Sequence, residues 1–118
     1  MKKEIDIWQF VRIMVEAENN KDGKVLLDNF GDVWTEVDAQ LLNLAETDME
    51  AYADMMMNQN IQLETNREVS DAVVAMASIV IENMTAELDK LDPEKDEIAQ
   101  DLAFEIQGLE QMVDEFAN

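Results

Sequence analysis

An all-α fold is predicted for this chain: a single-domain bundle of four main helices, near residues 4–18, 29–46, 66–91 and 93–117, with a short helix near 48–58. Three observations predict it. Apolar residues recur at steps of three and four along most of the sequence. Cap patterns stand just before several of these runs. One Pro and three Gly in 118 residues are too few for the many turns of an all-β fold. A chain of this length makes one domain that buries roughly two-thirds of its unfolded surface. Its 47% hydrophobic content is enough to fill a core.

Ile5, Trp8, Val11 and Val15 set the inner stripe of the first helix. Asn19-Asn20-Lys21-Asp22-Gly23 ends it, because Asn and Asp suit turns and Gly tolerates backbone that others do not. Phe30, Val33, Val37, Leu41 and Leu44 carry the second helix. Thr47-Asp48-Met49-Glu50 has the capping-box pattern, so a short helix restarts there and turns Met49, Tyr52, Ala53 and Met56 inward. A helix continuous through Thr47 is the competing reading.

A second capping box, Thr65-Asn66-Arg67-Glu68, opens the most apolar helix, with Val69, Val73, Met76, Val80, Met84, Leu88 and Leu91 in phase. No residue between Asp71 and Glu82 is charged, so this helix is expected to be surrounded, by its own fold or by a second subunit. Asp92-Pro93-Glu94 stops it and starts the last helix, with Asp as N-cap and Pro at the first helical position. Ile98, Leu102, Ile106, Leu109, Val113 and Phe116 form that helix's inner stripe.

The chemistry available is narrow. There is no Cys and no His, which excludes disulfides, thiolate zinc sites, iron–sulfur clusters, Ser–His–Asp triads and Glu-x-x-His di-iron sites. No glycine-rich phosphate loop occurs, and nothing singles out a catalytic pair among 28 carboxylates. The chain is therefore expected to be neither an enzyme nor the holder of a cofactor. The longest uncharged apolar stretch, Ala72 to Ile81, is about half of what a bilayer requires, and the first residues carry no signal-peptide pattern. A cytoplasmic protein without a membrane association is expected.

Two segments are motif-like. Glu18 to Asn29 resembles the calcium loop of the EF-hand family, with Asn20, Asp22, Gly23 and Val25 matching its third, fifth, sixth and eighth positions. The resemblance makes Glu18, Asn20 and Asp22 the candidate metal ligands. The sequence departs from the pattern at Leu26, which has no side-chain oxygen, and at Asn29, which replaces the bidentate Glu. A bend between helices, with Asp22-Gly23 in the turn and Val25 packed inward, is the favoured reading, and no bound metal is expected. In Met55-Met56-Met57, successive side chains point about 100° apart on a helix and cannot converge on one soft metal. Met56 is expected in the core, which leaves Met55 and Met57 as candidate apolar contacts for a partner. Phe104, opposite the inner stripe of the last helix, is a third.

Charge is the dominant signal. The net charge is −20, and residues 1–27 contribute nothing to it because five acids there balance five bases. On the last helix Glu94, Glu97, Asp101 and Glu105 form one acidic flank, and Glu110 and Asp114 belong to another. Asp32 and Glu36 face outward on the second helix. Such a surface repels nucleic acid and anionic membranes and attracts a basic protein. Small, helical, very acidic and free of His and Cys, the chain resembles in physical type the DNA-mimic inhibitors of phage and mobile elements, which act against restriction, CRISPR or nucleoid proteins. That resemblance implies a non-catalytic inhibitor occupying the nucleic-acid-binding surface of a basic partner. The alternative is a helical adaptor or assembly subunit, including a homodimer, that associates through an apolar surface.

Overall fold

The computed structural model of the chain describes residues 2–91 and 97–117. Its elements run β1 (Lys2–Asp6), α1 (Ile7–Glu18), a 3₁₀ turn (Lys21–Gly23), α2 (Lys24–Thr47), α3 (Met49–Asn58), β2 (Asn60–Glu64), α4 (Arg67–Leu88) and α5 (Glu97–Ala117). The fold is a predominantly helical bundle with a small two-stranded sheet. The expected helix start at Asp92-Pro93-Glu94 lies outside the described residues.

Residues 4–6, expected to open the first helix, belong instead to a strand. β1 pairs antiparallel with β2, with Lys2 opposite Glu64 and Ile5 opposite Ile61. The ribbon puts Ile5 and Leu63 into the core. Asp6 ends the strand and caps α1: its carboxylate accepts from the Gln9 N–H at 2.7 Å, and its own N–H donates to the Gln9 side chain at 3.1 Å. That reciprocal box starts the helix at Ile7.

The phase of α1 also differs from expectation. Ile7, Phe10, Ile13, Met14 and Ala17 are buried, whereas Trp8 and Val11 are half-buried and Val15 is exposed. α1 is apolar on two adjacent faces, and the face carrying the larger share of the core is not the one that spacing alone selects. α2 buries Leu26, Phe30, Trp34, Val37 and Leu41, and Val33 lies outside that stripe. Phe10 meets Trp34 edge to face, with ring centroids 6.1 Å apart, which locks α1 onto α2.

Asp48 alone separates α2 from α3, in extended conformation (φ −158°, ψ 90°), so the helix breaks as the favoured reading has it. The cap is Asp48 rather than Thr47: its carboxylate accepts from the Ala51 N–H at 3.1 Å. Asn66, rather than Thr65, likewise caps α4 by accepting from the Val69 N–H at 2.9 Å. In both places Thr and a better-ranked cap residue stand side by side, and the better one takes the position.

α4 is the central helix. It packs most extensively along α5 and also against α1 and α2, and it buries Val69, Ala72, Val73, Met76, Ala77, Val80 and Met84. By length and composition it is long and apolar enough to cross a membrane, but here that apolar face forms the core. Within the single chain its uncharged middle is covered on most sides, and Ala75 and Ser78 lie on an exposed flank between Asp71 and Glu82 that its own fold does not cover. α5 buries Ala99, Ile106, Leu109, Met112 and Phe116, whereas Ile98 is 62% exposed and outside the stripe.

Candidate functional site

The carboxylates nominated from sequence fall into three environments. Asp32 and Glu36 are exposed on α2, one turn after the exposed Asp28, so three acids follow one another at four-residue steps. Glu97 and Asp101 are exposed on α5, as are Glu110 and Asp114. α2 and α5 both pack on α4 and not extensively on each other, so their acids form two separate ridges. Glu94 lies outside the described residues.

Glu105 departs from its flank. It is half-buried, and burial pushes its carboxyl above the usual range; the Arg12 guanidinium pulls the other way, while Asp101 adds to the rise. Asp6 is raised too, again by burial, partly offset by the Gln9 N–H that it accepts. These two shifted carboxyls line one depression, about 140 Å³ in volume, together with Trp8, Met56, Met57 and Phe104.

Two of the three nominated apolar contacts meet there. Phe104 is 74% exposed and Met57 68% exposed, and they approach from α5 and α3 respectively. Met55 does not join them. It is only 6% exposed and belongs to the core, so the expectation that Met56 takes the inward position is corrected: Met56 is half-buried at the edge of the depression. Met49 and Ala53, also expected to point inward, are exposed.

Sequence reasoning missed the other wall. A second depression, about 250 Å³, adjoins the first and is bordered by Trp8, Val11, Val15, Met56, Arg12 and Glu16, among others. Arg12 stacks its guanidinium over the Trp8 ring at 5.0 Å from the centroid. The signal was present, since Trp8, Val11 and Val15 form an apolar stripe beyond the one needed for the core.

Between α1 and α2 the chain makes a different use of the nominated metal ligands. The Trp34 indole N–H donates to the Glu18 carboxylate. The Asn20 side chain accepts from the Asp22 N–H at 2.9 Å and starts the 3₁₀ turn. Residues 24–29 are already helical, so the twelve-residue loop implied by the EF-hand resemblance is not formed. Val25 is half-buried against the core. Among the described residues, no three carboxylates gather in an arrangement that could hold a metal ion, and no buried side-chain polar atom lacks a partner. No protein-family model matches the chain, and no curated protein or solved structure is significantly similar to it.

Proposed function

We propose that this chain is a non-catalytic acidic binding protein of DNA-mimic type, which occupies the nucleic-acid-binding surface of a basic partner in the cytoplasm. Charge density carries this reading. Twenty net negative charges are distributed over a body whose longest dimension is 42 Å, about one charge per 2 Å. Duplex DNA carries one per roughly 1.7 Å of axis. The ridges at Asp28, Asp32 and Glu36 and at Glu97 and Asp101 repeat about every 6 Å along their helices, since each step is one helical turn. Self-repulsion at this charge costs stability, and a basic partner offsets it. Restriction, CRISPR and nucleoid proteins are the classes of partner this chemistry fits.

A second reading, an adaptor that associates through apolar contacts, is favoured by one observation: the exposed Phe104 and Met57 beside Trp8. Affinity capture from a source-cell extract, with and without nuclease, separates the two. The mimic retains a basic nucleic-acid-binding protein after nuclease and releases it on added DNA or at high salt. An adaptor retains its partner through both.

A further inference from the structure

We infer that the paired depressions around Trp8 form a docking groove for a basic, amphipathic segment of the partner, with apolar side chains seated on Trp8, Met56 and Phe104 and Lys or Arg on the rim. This rests on the reading proposed above and locates its apolar anchor. The exposed Phe104 and Met57 line one depression and Val15 (45% exposed) the other, and Trp8 and Met56 border both, so apolar side chains lead from one cavity into the next. Exposed apolar side chains gathered in one place and rimmed by polar groups are characteristic of interaction sites.

Charge selects the occupant. Asp6, Glu16 and Glu105 stand on the rim against the single guanidinium of Arg12, and Asp101 beside Glu105 continues the acidity along α5. A second copy of this chain would bring another −20 and the same acidic rim face to face with this one. A cationic helix with apolar residues at spacings of three and four matches both the groove and its border.

Three synthetic peptides test this against the ¹⁵N-labelled full chain: a Lys/Leu peptide with leucines at helical spacing, its scrambled isomer, and decalysine. The two indole N–H signals, assigned with Trp8→Phe, provide the readout. The amphipathic peptide is expected to shift the Trp8 signal and leave Trp34 in place, and to bind about tenfold tighter than its scrambled isomer. Phe104→Ser with Met57→Ser removes that preference and leaves decalysine binding unchanged; both side chains are exposed, so the melting temperature holds. Equal binding of the two isomers, or a preference that survives the double substitution, overturns the groove. If decalysine still binds in a salt-sensitive manner, the acidic reading stands without it. If only the amphipathic peptide binds and salt has no effect, the acidic reading fails and the basic occupant with it, leaving an apolar groove of other purpose. Self-association that Phe104→Ser abolishes would give the groove to a second copy and overturn the proposal.

Discussion

Gly23 and Ala17 stand so close that a methyl group on Gly23 would lie 2.3 Å from the Ala17 α-carbon and 2.6 Å from its carbonyl oxygen. The chain leaves α1 and enters α2 across this contact, and the bend that results lets Trp34 reach Glu18. Glycine is required here by space, since no residue of the described chain has positive φ.

Gly23→Ala is therefore expected to destabilise the fold by about 1–3 kcal/mol, because backbone must move to relieve the overlap. Gly31→Ala provides the contrast. It lies within α2 with nothing within 4 Å of the added methyl group, so it should stabilise by about 0.5–1 kcal/mol. Denaturant unfolding of both variants checks the pair.

The methionine run separates core from surface just as sharply. Met55→Ala should cost about 2–5 kcal/mol, as a buried side chain is lost and a cavity left. Met57→Ala and Phe104→Ala should stay within about 0.5 kcal/mol, since both side chains face solvent. Thermal or chemical denaturation distinguishes these outcomes.

How much of this was legible in the sequence depended on whether one pattern stood alone. The helices around Trp34 and Met76 are readable because one apolar phase dominates each, although Val33 falls outside it, and the interruption at Asp48 because a cap pattern marks it. The phase of α1 is ambiguous because Ile7, Phe10 and Met14 compete with Trp8, Val11 and Val15 on a helix in which eight of twelve residues are apolar. The strand at Asn60-Ile61-Gln62-Leu63-Glu64 has strict period-two alternation, but five residues are too short a run for that alternation to stand out between two helices. Its partner, Lys2–Asp6, alternates only at Ile5 and is fixed by tertiary pairing. The acids on α2 and α5 could be placed on outer faces. That Phe104 and Met57 meet beside Trp8 follows from how α1, α3 and α5 converge, and no local pattern encodes it.

Acidity should stabilise the protein. Burial raises Asp6 and Glu105, so the native state retains their protons to higher pH than the unfolded chain does. Above the raised native values the charged forms cost stability. That cost is relieved as pH falls through them and levels off below the unfolded values. Melting temperature should rise on mild acidification from neutral pH, and Asp6→Asn with Glu105→Gln should flatten the slope. The Asn side-chain oxygen keeps the helix cap, so flattening reports titration rather than a lost cap.

Divalent cations should act without selectivity. With Glu18 bonded to Trp34, Asn20 bonded to the Asp22 N–H and residues 24–29 in helix, calcium and magnesium are expected to raise the melting temperature equally, by screening and condensation on the acidic ridges. Asp22→Ala should leave both effects in place. A calcium advantage at micromolar concentration, lost on that substitution, would contradict this.

In the proposed function, carboxylate ridges substitute for nucleic-acid phosphate on a basic partner. The most direct test is affinity for the captured partner across a salt series, for the native chain and for two double reversals, Asp32→Lys with Glu36→Lys and Glu97→Lys with Asp101→Lys. All four residues are exposed, so the variants should fold. A steep loss of affinity is expected between about 50 and about 200 mM salt, with about tenfold or weaker binding for at least one double reversal. Affinity unchanged across that range, with both reversals binding as the native chain does, would contradict it.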